Sequence, residues 1–404
     1  MIAFPPLPLM YFTGSLLTSL MALQSQQSFR NLFLALFLTL SWLTFRNILV
    51  IFPNPDHASC FGIFILIWCS HIVHAVLIEK YKINLPHSPG STARYPTEKV
   101  EYVNTYSISN WVATYKILYN FRWIKTSNAT PSIPGPRRYT SRYRFLATRL
   151  GSVLAIYTFN HYYNLVLTTA PISAHDFFSE REHALSRLSQ ITLRESIIRT
   201  FFIFHFVWGS YAEFEIVHQL HALISVLVGI DDPEDWPPLF GSIKDTYNLR
   251  HFWGKFWHRL VYRSYGAYGR LLSHKVLRIK TGSPMDRFVR NGTVFFLSGC
   301  VHAAVTWRLG FTCGYWGDVS WFMGNFLAMY AEEAFFASVT VCLGEDVWKR
   351  PVVKTWGKVM GYVWVAAWLW WSLPKTMYPK LRCMPLQVPS DFVESVVRPE
   401  AGTP

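Results

Sequence analysis

The sequence predicts an all-α fold, a polytopic transmembrane helical bundle of about eight spans with interfacial helices in its cytosolic loops. Three observations carry that prediction. Hydrophobic residues make up 51% of the 404 residues and charged residues only 15%. The apolar residues gather in runs of roughly 17 to 25, the length that crosses ~30 Å of hydrocarbon. The net charge of +14 is concentrated in two stretches between those runs.

The runs lie near 5–22, 31–52, 58–78, 146–170, 197–229, 291–310, 318–343 and 356–373. Pro5, Pro6 and Pro8 crowd the first, and the fifth carries Glu213, Glu215, His218 and His221, so it reads either as two segments or as one tilted helix. Residues 1–78 then form the N-terminal spans, 79–145 a basic loop, 146–374 the membrane-embedded core, and 375–404 a polar tail with little structure of its own. Loop 79–145 contains Lys80, Lys82, Arg94, Lys99, Lys116, Arg122, Lys125, Arg137, Arg138, Arg142 and Arg144 against Glu79, Glu98 and Glu101. Loop 230–290 is basic as well, whereas 171–196 is mixed in sign. The positive-inside rule puts 79–145 and 230–290 in the cytosol and both termini on the far side. Cations that flank spans do not line a soluble domain, so the charge gives no support to nucleic acid as a partner. The N-terminus shows neither a positive leader nor a small-residue cleavage site, and no removable signal peptide is expected. Of six scattered cysteines, Cys60, Cys69, Cys300 and Cys342 fall in or beside apolar runs and read as small hydrophobes rather than disulfides or zinc ligands.

Within the first basic loop, 108–125 reads as a helix with Trp111, Tyr115, Leu118 and Arg122 at helical spacing, either interfacial or packed on the protein body. The segment from Asn248 to Leu260 is denser still, with Phe252, Trp253, Phe256, Trp257, His251, His258, Arg250, Lys255 and Arg259. Read as a helix over 250–263, it aligns Lys255, Arg259 and Arg263 in a cationic stripe, with His251 and His258 near that face. A membrane-interface anchor selects the same residue types, so the pattern alone leaves both readings open.

His302 sits in the apolar run Phe295-Phe296-Leu297-Ser298-Gly299-Cys300-Val301-His302, and Ser298, His302 and Thr306 repeat at i+4 as a polar stripe. A histidine at membrane depth faces a bundle interior and is a functional candidate by default, although a structural hydrogen bond to a neighbouring helix is the alternative. A neutral imidazole in a dry site can take a proton from an alcohol and later return it. Glu332 and Glu333, on the span that also carries Asn325, need partners or a water-filled cavity; they either orient a histidine, hold a polar substrate group or pair structurally. Glu215/His218 with His221, Glu180/His183 and His71/His74 repeat a spacing used by di-iron bundles. They remain isolated pairs, so no metal site is expected. P-loop, GxGxxG, GxSxG and HExxH motifs do not occur, which leaves nucleotide hydrolysis, Rossmann redox chemistry and serine hydrolysis without support.

The aromatic-basic segment Arg250-His251-Phe252-Trp253-Gly254-Lys255-Phe256-Trp257-His258, followed by the histidine of Phe296-Leu297-Ser298-Gly299-Cys300-Val301-His302, resembles the wax synthase-like branch of membrane-bound O-acyltransferases. Within that branch it is most similar to the fungal acetyltransferases of terpenoid and meroterpenoid biosynthesis, over about 230–345. The resemblance implies acyl transfer from acyl-CoA, here acetyl-CoA as co-substrate with no bound cofactor, to a hydroxyl of a hydrophobic alcohol, in an endoplasmic reticulum bilayer. It maps the family's intramembrane histidine, the general base, onto His302. It maps the polar residue that closes the aromatic motif, often Asn in the wider superfamily, onto His258 as partner of the acyl carbonyl. Trp253, Trp257, Ser298, Asn325 and Glu332 are expected around the substrates, and Lys255, Arg259 and Arg263 offer cations to a phosphate-rich donor arriving from the cytosol. Two rivals stand beside this reading: a long-chain wax-ester synthase using fatty acyl-CoA, and a transporter or lipid-binding membrane protein whose His302 and Glu332 line a path. The transporter class commonly shows internal repeats, and none stands out here.

Overall fold

A computed structural model describes residues 6–81, 108–126, 129–131, 141–169, 172–311, 313–344, 346–347 and 350–383. Arg94, Lys99, Arg137 and Arg138 of the first basic loop and the tail from 384 onward lie outside the described residues. The fold is all-helical, with no strand among the described residues.

Long helices fall on each of the apolar runs: α1 Pro6–Gln24, α2 Gln27–Arg46 and α3 Pro55–Val73, then, after the short α4 Ile108–Tyr119, α5 Arg142–Thr169 and α6 Leu193–Leu227. Beyond the short α7 Tyr262–Arg270 come α8 Pro284–Arg308, α9 Tyr315–Leu343 and α10 Pro351–Ser372, and α11 Pro374–Arg382 ends the described chain. By length and composition, the stretches Ser28–Arg46, Pro55–Ile78 and Pro284–Arg308 are apolar enough to cross a membrane. The long fifth run is one unbroken helix of 35 residues, which settles the two-segment alternative.

Local chemistry sets these boundaries. Asn54 caps α3 by accepting the Asp56 and His57 amides at 2.9 and 3.1 Å, with Pro55 at the first helical position, where a missing N–H costs nothing. Thr192 caps α6, and Ser283 with Pro284 caps α8 in the same way. Gly314 precedes α9 at φ 85°, and a β-carbon there would lie 2.9 Å from Pro379, so both the left-handed backbone and the close approach require glycine.

Two apolar cores result. One gathers Phe37, Phe45, Ile65, Trp68, Leu118 and Trp123 from α2, α3, α4 and the turn after it. The other gathers Leu249, Phe252 and Phe256 against Trp321, Phe322 and Phe326 of α9 and Val365 and Leu369 of α10. Helix α4 docks on the body: Thr114 and Leu118 are fully buried, and the Ile117 carbonyl accepts from His71 Nε2 at 2.8 Å.

One expectation is corrected, and one bond added, at the end where α8 meets α9. Residues 374–382, at the start of the expected polar tail, form a packed helix; Lys380 and Thr376 engage Asp318, and Arg382 pairs with Glu182. Cys313 and Cys383, neither of them in an apolar run, form a disulfide with Cα atoms 5.9 Å apart, while Cys60, Cys69, Cys300 and Cys342 are free.

Candidate active site

The helix expected over 250–263 is not continuous. Leu249–His251 makes one α turn, capped by Asn248, whose side chain accepts the His251 amide at 2.6 Å. Phe252–Phe256 then widens into a π turn, closed by the Trp257 amide on the Phe252 carbonyl at 2.8 Å. There the backbone turns extended, because the Phe256 carbonyl accepts the Gly241 amide at 2.8 Å instead of a later amide of its own helix. Gly241 permits that crossing, since a β-carbon would stand only 2.1 Å from the Lys255 carbonyl oxygen. Helicity resumes at Tyr262, so the single stripe of Lys255, Arg259 and Arg263 does not form. A π turn of this kind recurs at functional sites.

The break releases Trp257 and His258 into the interior. His258 is flanked by Phe214 at 4.7 Å between ring centroids, and by Phe240 and Trp257 at 5.7 Å each. His302, from α8, stacks on Phe322 of α9 at 4.9 Å and lies within electrostatic reach of His258. Both imidazoles sit deep in the fold and keep part of their surface accessible. Burial, reinforced by His302 and Arg122 nearby, pushes the His258 pKa down to about 3, so its ring is neutral at any physiological pH. One turn beyond His302, Thr306 donates to Asp318 at 2.7 Å, and Asp318 also holds Thr376 at 3.0 Å.

The remaining predicted residues divide into those around the histidines and those that hold the wall. Trp253 stands against Trp257 at 5.3 Å, Trp321 at 5.8 Å and Phe322 at 5.9 Å. Its indole N–H donates to Asn325 Oδ1 at 3.2 Å, an oxygen that also accepts from Trp368 at 3.0 Å. Glu332 accepts the Leu249 amide at 3.0 Å and the Trp364 indole at 2.7 Å, and thereby anchors the start of the aromatic segment to α9 and α10. Glu333 pairs on the surface with Arg250 at 2.8 Å. Ser298 donates within its own helix to the Val294 carbonyl at 2.8 Å. Lys255 is exposed. Arg259 donates to the Pro131 carbonyl and lies 4.4 Å over the Tyr262 ring, and Arg263 donates to the Ala129 carbonyl. These two guanidiniums are tied to the 129–131 loop, which reduces what they offer a ligand.

The carboxylate-histidine pairs do not converge. Glu215 accepts from Gln219 at 2.7 Å with His218 3.9 Å away, His221 meets Tyr115 at 2.7 Å, and His74 meets Glu79 at 3.1 Å. Sequence reasoning missed Phe214, Phe240, Gly241 and Phe322; Gly241, three residues after Pro238, had at least the mark of a tight crossing.

Residues 236–324, which include the aromatic segment and both histidines, match the model of the membrane bound O-acyl transferase family. Acetyltransferase atnC of Arthrinium sp is 31% identical over 194 residues, 48% of this chain and 44% of that protein. Acetyltransferase aurG of Calcarisporium arbuscula is 28% identical over 213 residues, 52% of this chain and 50% of the relative. Acetyltransferase ataH of Aspergillus terreus is 29% identical over 275 residues, 66% of this chain and 88% of the relative. The chain spans about half the length of the first two of these relatives. No solved structure matches it. The histidine-bearing segment is therefore similar to that family, and about half of the chain is similar, at about 30% identity, to fungal acetyltransferases.

Proposed function

We propose that this chain is an integral membrane O-acyltransferase that moves an acetyl group from acetyl-CoA to a hydroxyl of a hydrophobic, terpenoid-type alcohol. The observation that carries the reading is that His302 and His258, from two separate elements, lie within electrostatic reach of each other inside the segment that is similar to the family. In this scheme His302 accepts the alcohol proton as the alcohol oxygen bonds to the thioester carbonyl carbon. The C–S bond then breaks, and His302 returns the proton to the departing thiolate, so no covalent enzyme intermediate is needed. His258, neutral and desolvated, stands where it can donate to the carbonyl oxygen as charge develops there. The aromatic wall of Trp253, Trp257, Trp321 and Phe322 excludes water that would otherwise compete with the alcohol.

All eight long helices cross the bilayer in this reading. In support, the outward faces of α5 and α6 expose Leu150, Leu154, Leu165, Ile197, Val217 and Ile224. Loops 79–145 and 230–290 face the cytosol, where acetyl-CoA is found. The disulfide Cys313–Cys383 then falls on the opposite side, which is the side on which such a bond persists if the membrane is that of the endoplasmic reticulum.

The test is acyl transfer by microsomes expressing the chain, with labelled acetyl-CoA and a panel of terpenoid and fatty alcohols, beside His302→Ala. Labelled terpenoid ester that vanishes in the variant is the expected result. Product that persists in a folded variant moves the base elsewhere, and no product from any alcohol overturns acyl transfer.

A further inference from the structure

Two buried arginines outside the matched segment's histidine pair grip three consecutive carbonyls. Arg149 of α5 donates to the Trp236 carbonyl at 2.6 Å, and Arg122 donates to the Pro237 and Pro238 carbonyls at 3.0 and 2.7 Å. Both side chains are at least nine-tenths buried. Arg149 also reaches Gln219 at 2.7 Å, Gln219 reaches Glu215 at 2.7 Å, and Glu215 accepts the Phe240 amide. The next amide, that of Gly241, captures the Phe256 carbonyl and ends the turn before Trp257 and His258. The Phe240 ring, fixed between Tyr211 at 5.1 Å and Phe256 at 6.0 Å, presses edge-on against His258. Prolines at 237 and 238 leave those positions without amide donors of their own, so the segment 236–241 is held almost wholly from outside.

We propose that Arg122, Arg149 and Glu215 are positioning residues that fix the 236–241 segment and, through Gly241 and Phe240, set the place of His258 relative to His302. None of the three contacts His258, so each positions it through that segment; Arg122 also acts on it by charge, which Arg122→Lys preserves. A guanidinium suits the task because its rigid fork spans two neighbouring carbonyls, which a lysine ammonium does not. Only the kinetic part of the test rests on the acyl-transfer reading.

The experiment compares wild type with Arg149→Gln, Arg122→Lys and Gly241→Ala in detergent, after gel filtration and a melting curve establish that each is folded. Carbethoxylation of His258, followed by mass spectrometry, needs no substrate: its rate should change severalfold and alike in all three variants, and a rate equal to wild type overturns the proposal. With an alcohol that wild type accepts, kcat should fall by about 10- to 100-fold with the KM for acetyl-CoA unchanged, the signature of a misplaced group rather than a lost binding contact. The double variant Arg122→Lys/Gly241→Ala should lose no more than the worse single variant, because both cut the same chain of contacts. Wild-type kcat in a folded variant, or kcat and KM moving together, overturns the positioning role. Should Arg149→Gln fail to fold, Arg122→Lys decides, since it keeps the charge and surrenders one carbonyl. A wild-type protein that transfers nothing to any alcohol refutes acyl transfer and leaves the carbethoxylation result standing by itself.

Discussion

Asn325 and Trp253 share a hydrogen bond of 3.2 Å from indole to side-chain oxygen, and that same oxygen accepts Trp368 at 3.0 Å. One amide thus fastens the aromatic segment to α9 and α10 together, while its nitrogen donates to the Trp321 carbonyl at 2.9 Å. Asn325→Leu keeps the volume and strands two indoles. It should destabilise the protein by about 1–3 kcal/mol for each stranded group that cannot reach water. A melting curve in detergent checks this, and an unchanged midpoint would show that the indoles find other acceptors.

His302→Ala should abolish acyl transfer and leave the fold intact, because His302 contributes stacking on Phe322 but holds no backbone together. His258→Ala should cost about 100-fold in kcat, the order seen when one donor to a developing oxyanion is removed. Single-turnover assays on the purified variants separate the two. A loss confined to KM in His258→Ala would assign that residue to binding.

The cations make a sharper prediction than the stripe of the sequence reading. Lys255→Ala should raise the KM for acetyl-CoA with kcat unchanged, and the effect should shrink at high salt, as expected for an exposed ammonium meeting phosphate. Arg259→Ala should instead loosen the 129–131 loop, visible as faster proteolysis there, because its guanidinium is already committed to the Pro131 carbonyl. Equal kinetic effects from the two variants would refute this division.

The pH dependence follows from His258 and Asp176. The folded pKa of His258 lies near 3, below its unfolded value, so the unfolded chain binds the extra proton first. Its contribution is therefore neutral above about pH 6.5 and becomes destabilising as pH falls towards 3. His258→Gln should flatten the slope of stability against pH by up to one proton in that window. Asp176, held down to about 2 chiefly by Arg194, stabilises above about pH 4 and is lost as pH falls through 2. Melting temperatures from pH 7 to 3 read both.

The disulfide predicts a labelling count. Denatured without reductant, the protein should take up maleimide at Cys60, Cys69, Cys300 and Cys342, and at Cys313 and Cys383 only after reduction. Cys313→Ala should lower stability by at most about 4 kcal/mol, the chain-entropy value for a crosslink of this span. Six labelled sites without reductant would contradict the bond.

Much of this was legible from residues alone, because the forces involved are local. Apolar runs placed the long helices, and an aromatic-basic segment followed by His302 marked the candidate site. What escaped was nonlocal. Cys313 and Cys383 are 70 residues apart and share no spacing signature. The stretch from 375 read as a polar tail, yet Pro374 occupies a first helical position where proline fits. Local periodicity drew 250–263 as one helix, and only the amide of Gly241, from an irregular segment held by distant arginines, reveals why it stops. Glu332 and Asn325 were singled out for their polarity at depth, and the structure gives that polarity to backbone amides and indoles.

The π turn at Phe252–Phe256 has one more implication. A π turn is an α-helix with one residue too many, so each residue after it is rotated by about 100° relative to an uninterrupted helix. Deleting Gly254, whose β-carbon position is open space, would remove the surplus residue without removing any side chain from the wall. Phe256, whose carbonyl Gly241 holds, would then be turned about the axis, and the extended stretch that carries His258 would start from a different direction. The direction in which His258 faces is thus written in how many residues separate it from Asn248, a property that no substitution scan of the segment would detect.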